Sequence, residues 1–386
     1  MRKVLSTLLA IILVCMVAAP MGYAAEKQAN LAENASSAIV IERDTGEVLF
    51  EKNSHDQLPP ASMTKIMTML LIMEAIDEGS LSYDDKIRTS ENAASMGGSQ
   101  VFLEPGEEMT VTDMLKAIAV ASGNDASVAM AEHLGGTEEE FVSMMNEKAK
   151  ELGLENTNFM NSNGLPAENH YTTAYDLAMI SKELLKYEDI TKFTGIYEDY
   201  LRQDSENKFW LVNTNKLVKF YPGVDGLKTG FTREAMYCLT ATAQKNDMRV
   251  ISVIMGAPTP KERNAQITEM LDYSFSQFKT HKLYERDHVL AEVKVSKGDK
   301  NQIPVQTSES VSILTKKGES IDDVTERMEI DQQLHAPLAK GDPVGTLYIE
   351  RAGEVLSETP LVAGDDVMDA SWWKLFKNVL SKFSGK

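Results

Sequence analysis

Apolar and polar positions change texture several times along the chain, and each change predicts a structural unit. Arg2 and Lys3 precede an apolar run from Val4 to Ala19, and the small residues Gly22, Ala24 and Ala25 follow it. This is the pattern of a secretory leader over residues 1–25, cleaved near Ala25; a membrane anchor is the alternative, but the run is short for a span. Beyond a polar stretch from Glu26 to Ser36, Ala38-Ile39-Val40-Ile41 and Val48-Leu49-Phe50 flank Asp44-Thr45-Gly46, which predicts a β-hairpin. Helical spacing begins at Ile66, Met69, Leu70 and Met73, and helices dominate to about Tyr187. One of them spans Val111–Ala121, with Thr110 and Asp113 placed to cap it, and its segment Ala117–Ala121 is apolar on every side, as in a buried helix.

Strand character returns at Phe209–Val212, Cys238–Ala243 and Val250–Ile254, and a helix carrying Ile267, Met270, Leu271, Phe275 and Phe278 closes this part. The N-terminal hairpin and the later strands would each expose an apolar face. Joining them in one antiparallel sheet flanked by helices resolves this, so residues 37–283 are read as an α+β domain. From Tyr284 the runs become short and alternating, as in Val289–Val295, Val311–Leu314 and Gly345–Ile349, with turns at Lys297-Gly298-Asp299, Lys317-Gly318-Glu319 and Ala352-Gly353-Glu354. Residues 284–366 therefore form a second, all-β domain, expected as a β-sandwich. In 369–386, Trp372, Trp373, Phe376, Val379, Leu380 and Phe383 share one helical face, with Lys374, Lys377, Lys382 and Lys386 around it. This describes an amphipathic helix lying in an anionic membrane surface, too short and too charged to span; docking on the protein's own surface is the alternative.

Composition narrows the function classes. With 386 residues and 43% hydrophobic content the chain can build more than one packed core. Its formal charge of -19, from 39 basic and 58 acidic residues, makes nucleic acid an unsuitable partner. Loss of the leader removes Cys15 and leaves Cys238 as the single cysteine, so no internal disulfide supports the exported protein. The six histidines are scattered without ligand spacing, and no His-Glu-x-x-His or Gly-x-Ser-x-Gly run occurs; neither a metal nor any other cofactor is expected.

The chemistry concentrates at Pro59-Pro60-Ala61-Ser62-Met63-Thr64-Lys65. Prolines give an extended lead-in to a helix starting near Ser62, and on that helix the Lys65 amine reaches Ser62 Oγ three residues back. A hydroxyl with a base beside it is a candidate nucleophile, and the helix N-terminus favours negative charge developing there. Ser122-Gly123-Asn124 interrupts two apolar helical stretches, which places polar groups at a turn between buried elements. Asp225-Gly226-Leu227-Lys228-Thr229-Gly230-Phe231 precedes the Cys238 strand and offers an edge strand with a cation, a hydroxyl and a close backbone approach for an extended peptide.

Ser-x-x-Lys, Ser-x-Asn and Lys-Thr-Gly in this order form a known signature of penicillin-binding proteins and class A β-lactamases. Around these motifs, and at Gly98–Leu103, Ala121–Ala126, Tyr175–Ala178 and Val224–Gly230, the chain resembles the serine D-Ala-D-Ala carboxypeptidases, the low-molecular-weight penicillin-binding proteins, and especially their sporulation-associated members. The resemblance extends over nearly the whole mature chain. It implies that Ser62 attacks the penultimate D-alanine carbonyl of a peptidoglycan stem pentapeptide and that Lys65 takes its proton. It further implies that Ser122 relays a proton to the leaving D-alanine, that Asn124 holds the substrate amide, and that Lys228 and Thr229 bind the terminal carboxylate. Gly230 allows close approach, and the amides of Ser62 and Phe231 form the oxyanion hole. Phe231 stands where some relatives carry histidine. His170, in a segment shared with relatives, is read as organising a loop. The implied partners are stem peptides, β-lactams as covalent inhibitors and the outer face of the cytoplasmic membrane, with the exported enzyme peripheral to it and limiting cross-linking of the wall, including that of the spore cortex. The extra β domain disfavours a β-lactamase; an endopeptidase that cuts cross-links stays open, as does a module that binds stem peptides without turnover, against which the nucleophile argues.

Overall fold

The computed structural model describes residues 31–331 and 333–373. The leader at 1–25 and all but the first residues of the C-terminal helix at 369–386 lie outside the described residues.

Ser37–Glu42 is buried along its whole length because it forms the interior of a five-stranded antiparallel sheet. Across that sheet the order is Val48–Lys52, Ser37–Glu42, Met248–Ala257, Met236–Lys245 and Val224–Thr232. Both long strands, Met236–Lys245 and Met248–Ala257, turn through Asn246 and Asp247, with Asn246 at φ 54° as a tight hairpin demands. Helices Ala174–Leu184 and Pro260–Gln277 pack on these strands. Covered strands carry continuous apolar runs, which is why the pattern here is less alternating than in a sheet with one wet face. Lys65–Asp77 packs against Ala174–Leu184 and Asn124–Gly135, and every residue from Lys65 to Met73 is buried. Its neighbour Val111–Ala119 starts with Thr110 Oγ1 accepting from the Asp113 amide at 3.1 Å and stops two residues short of the expected Ala121, since the chain must turn before Asn124.

Phe209–Val212 does not join the central sheet. It pairs with Glu198–Leu201, a strand the sequence pattern did not announce, in a separate hairpin. Tyr200 and Trp210 lie opposite each other on its outer face, where Trp210 is 56% exposed. The expectation that Phe209–Val212 joins the one antiparallel sheet is thus corrected: it forms a separate hairpin that buries Leu201 and Leu211. Arg202, at its turn, donates to the carbonyls of Val101 and Phe102 and to Glu107, fastening the hairpin to the loop before Asn124.

The β portion starts at Phe278, ahead of the expected 284, because Phe278–Tyr284 pairs with Val311–Lys316. Beside this pair lies a six-stranded sheet ordered Val324–Ile330, Pro343–Arg351, Glu354–Ala363, Gln302–Thr307, Val289–Ser296 and Leu334–His335. Ile303, Val305, Ile313, Leu347, Ile349 and Leu361 are part of one core between the sheets. Polar contacts join the α+β and β portions. Glu309 lies 3.1 Å from Lys182 and 3.6 Å from Lys186, Arg286 lies 3.0 Å from Asp77, and Ser312 Oγ donates to Asp44 at 2.5 Å. The chain then straps back along a turn of the β portion: the Ala370 amide donates to the Lys297 carbonyl at 2.7 Å. Trp372 and Trp373 follow, both largely exposed. Among the described residues no helix is long and apolar enough to cross a membrane.

Candidate active site

Pro59 and Pro60 bring the chain to Ala61, which takes a left-handed φ of 48° and redirects it into a short 3-10 turn, Ala61–Thr64, continuous with Lys65–Asp77. Thr64 Oγ1 donates to the Ala61 carbonyl at 2.8 Å and closes this turn. Ser62 is thereby held half-exposed at the mouth of a buried helix, with Lys65 one turn further in and fully buried.

Lys65 Nζ lies 2.6 Å from Asn124 Oδ1, 2.5 Å from the Asn163 carbonyl and 3.3 Å from Ser62 Oγ. Burial drives its pKa well below the usual lysine value, the positive Lys228 pushes in the same direction, and Asp125 opposes them. In its neutral form the amine would have two hydrogens, and giving them to the two shortest contacts would leave the lone pair towards Ser62 Oγ.

Asn124 opens the helix Asn124–Gly135 directly after the turn at Ser122 and Gly123. Its amide group is fixed on both sides: Oδ1 receives Lys65, and Nδ2 donates to the Gly97 carbonyl at 2.6 Å. Gly98 is required beside it, since an added Cβ would sit 2.8 Å from Asn124 Nδ2 at a φ of +82°. Asp125 holds the same loop by accepting from the amides of Val101 and Leu103. Ser122 sits at φ 62°, is 4% exposed, and its Oγ has no hydrogen-bond partner among the described residues. An unpaired buried hydroxyl costs about 1–3 kcal/mol, which favours a partner that arrives with a ligand.

Val224–Thr232 is the outermost strand of the central sheet, paired on one side with Met236–Lys245. Lys228 is buried, with Nζ 3.1 Å from the Thr229 carbonyl, and its pKa is lowered to about 7 by burial and by the Arg263 guanidinium. Thr229 Oγ1 donates to Thr214 Oγ1 at 2.6 Å. The strand runs close to the start of the Ser62 turn: a Cβ on Gly230 would lie 2.9 Å from the Pro60 carbonyl and 3.1 Å from Ala61 Cβ. Phe231 follows, 51% exposed and stacked on Tyr237 with ring centroids 4.4 Å apart.

The structure thus brings Ser62, Lys65 and Asn124 into direct contact, sets Lys228 within electrostatic reach of Lys65, and places Ser122 at the turn that carries Asn124. Two participants escape sequence reasoning. Thr214 lies between Asn213 and Asn215, whose side chains tie it down by donating to the Thr194, Ile196 and Gly226 carbonyls; in the sequence this reads only as a polar turn. Asn163 contributes a backbone carbonyl, which no side-chain pattern announces. Its neighbour Gly164 is the one local signal, because a Cβ there would overlap the Ala61 carbonyl at 1.9 Å. His170 lies behind the site with Nε2 2.8 Å from Thr64 Oγ1, and its Nδ1 accepts from the Met160 amide. Nε2 therefore carries the proton, and burial lowers the ring's pKa to about 4. Among the described residues no group of three His, Cys, Asp or Glu is placed to hold a metal ion. The assembled groups suit transfer of an acyl group from a chain ending in a carboxylate.

Comparison with known proteins agrees. Residues 24–259 match a family model described as D-alanyl-D-alanine carboxypeptidase, and residues 278–369 match the penicillin-binding protein 5 C-terminal domain. The chain is 58% identical to D-alanyl-D-alanine carboxypeptidase DacF of Bacillus subtilis (strain 168) over 100% of its own length and 99% of that protein's. Penicillin binding protein 5 from Haemophilus influenzae superposes with a TM-score of 0.66 at 32% identity, over 87% of this chain and 98% of that one. Penicillin-binding protein D2 from Listeria monocytogenes in its ampicillin-bound form gives 0.56 at 30% identity, over 63% and 98%.

Proposed function

The chain belongs to the D-alanyl-D-alanine carboxypeptidase family and is a serine-type enzyme of the penicillin-binding class; from that premise we propose how its own residues divide the reaction. Ser62 Oγ attacks the carbonyl of the penultimate D-alanine while its proton passes to the neutral Lys65. The amides of Ser62 and Phe231 receive the developing oxyanion, a contribution typically of about 3–4 kcal/mol per donor. Ser122 returns a proton to the departing D-alanine, the acyl-enzyme ester remains on Ser62, and water hydrolyses it to a tetrapeptide with a free carboxylate. Lys228 and Thr229, with Thr214 beside them, bind the terminal carboxylate, and Asn124 holds the substrate amide. A β-lactam enters the same path when Ser62 opens its ring amide to an ester. The position of Lys65 Nζ, 3.3 Å from Ser62 Oγ and held by Asn124 Oδ1 and the Asn163 carbonyl, carries this reading.

Purified protein should release D-alanine from diacetyl-Lys-D-Ala-D-Ala and take a fluorescent penicillin covalently, and Ser62→Ala should abolish both. Labelling retained in that variant removes Ser62 from the centre. The leader at residues 1–25 directs export, and the helix at 369–386 holds the enzyme peripherally on the outer membrane face. The exposed Trp372 and Trp373 at its start support this placement. Trimming of pentapeptides there limits cross-linking of the wall, and the sporulation-type resemblance extends this role to the spore cortex.

A further inference from the structure

The hairpin of Glu198–Leu201 and Phe209–Val212 touches both walls of the cleft. Its outgoing strand leads directly to Thr214, which meets Thr229 on the carboxylate side. At its turn Arg202, held at φ 53°, reaches the other wall. There Nε lies 2.6 Å from Glu107 Oε1 and Nη2 2.9 Å from Oε2, while Nη1 and Nη2 donate at 3.1 Å to the carbonyls of Val101 and Phe102. Burial alone would raise the Glu107 carboxyl, but Arg202 and the Glu104 amide outweigh it and hold it below the usual carboxylate range.

The segment gripped in this way has little support of its own. Residues 95–107 carry no helix or strand, and 97–99 are exposed. Yet this segment places Asn124: the Ser99 carbonyl accepts from its backbone amide at 2.8 Å, and the Gly97 carbonyl accepts from Nδ2 at 2.6 Å. Val101 and Leu103 donate their amides to Asp125 next to it. The same Asn124 side chain presents Oδ1 to Lys65 Nζ. An irregular segment thus lies between a two-pronged ion pair on one side and the residue that holds the base on the other. A planar guanidinium can serve one carboxylate and two carbonyls at once, which the point charge of a lysine cannot.

We propose that Arg202 is a positioning residue for acylation. It acts away from the reacting atoms, through residues 97–103, whose carbonyls orient Asn124 and so keep Lys65 Nζ beside Ser62 Oγ. Because the same hairpin leads to Thr214, one element sets the spacing between the base and the carboxylate pocket.

This inference rests on the acyl-enzyme reading, and the measurements keep the two apart. The second-order rate of acylation by fluorescent penicillin is followed against pH for the native chain, Arg202→Met, Arg202→Lys, Glu107→Gln and Lys116→Ala. Lys116 lies 2.9 Å from Asp199, so its loss removes a different tie of the hairpin and spares the contacts to residues 97–103. Arg202→Met should acylate about 10–30-fold more slowly, Arg202→Lys should recover little of that, and Glu107→Gln should lose about threefold. Lys116→Ala should keep the native rate. The acid limb of the profile should also move to higher pH in Arg202→Met, since an Asn124 that swings away lets water reach Lys65, while the charges facing that lysine, Lys228 and Asp125, are the same in every variant. A native rate and profile in Arg202→Met, with only a lower urea midpoint, reduces Arg202 to a structural tie and overturns the inference. An equal loss in Lys116→Ala does so too, assigning the effect to docking of the hairpin as a whole. If Arg202→Met does not fold, Glu107→Gln decides, and an unchanged rate there overturns the inference. Failure of penicillin to label the native chain overturns the acyl-enzyme reading and this inference with it.

Discussion

Lys65 and Lys228 show how much a local environment can change a residue type. Both are lysines in a largely acidic protein, yet burial lowers both pKa values, and Lys228 reinforces the effect on Lys65. At a pKa of about 7, Lys228 loses its charge as pH rises through neutrality, and in the role proposed for it the substrate carboxylate would lose its counter-ion. KM for a D-Ala-D-Ala peptide should therefore climb between pH 6.5 and 8.5; a KM flat over that range would remove Lys228 from carboxylate recognition. The linkage to stability has the opposite sense. An unfolded lysine still binds a proton where the folded one does not, so the native state gains stability as pH rises from 7 towards the unfolded value near 10.5. Sequence spacing showed that Ser62 and Lys65 could meet. It could not show that the Lys65 pKa is driven down, because that depends on burial by residues far away in the chain.

Within elements, the close fit of the Asn161–Leu165 loop against the Ser62 turn sets the position of the Asn163 carbonyl. Gly164→Ala would place a methyl group against the Ala61 carbonyl at a φ of +86°, and it should slow acylation by fluorescent penicillin about 10–100-fold while far-ultraviolet circular dichroism stays unchanged. Acylation at the native rate would mean that this contact does not orient Lys65. The helices and long strands were legible from periodicity, and the cap at Thr110 from its residue type. The hairpin Glu198–Leu201 with Phe209–Val212 was not. Its outer face carries Tyr200 and Trp210, which mimic core residues in a pattern, and Glu198 and Asp199 disguise the first strand. Thr214, anchored by that hairpin's exit, was missed for the same reason: its partner Thr229 lies on another element, and only tertiary pairing makes it part of the site.

Across the whole molecule, the β portion is tied to the α+β portion by charges as well as by chain continuity. Burial pushes the Glu309 carboxyl up, but Lys182 and Lys186 outweigh that and hold it below the usual carboxylate range. Its contribution is therefore present above the unfolded pKa near 4.5 and is lost as pH falls through the depressed folded value. Glu309→Ala leaves two lysines without this partner and should cost about 2 kcal/mol, read as a lower midpoint in urea denaturation near pH 7 and a difference from the native chain that shrinks in acid. A midpoint unchanged at neutral pH would reduce this network to a surface contact. The division into an α+β and a β portion was legible from texture alone. Its starting point at Phe278 was not, because the first strand of the β portion continues directly from the helix Pro260–Gln277 without an intervening polar linker.

Among the described residues the strand Val224–Thr232 has a partner on one side only. Every second amide along it points away from the sheet, and a bound stem peptide would serve as a temporary sixth strand. Acylation should then slow deuterium uptake at Thr229 and Phe231 while leaving the inner strands, already shielded, as they were. Mass spectrometry of the fragment spanning this strand would register occupancy directly, whether the occupant were a peptide or an antibiotic. The open edge thus makes the enzyme its own isotopic reporter.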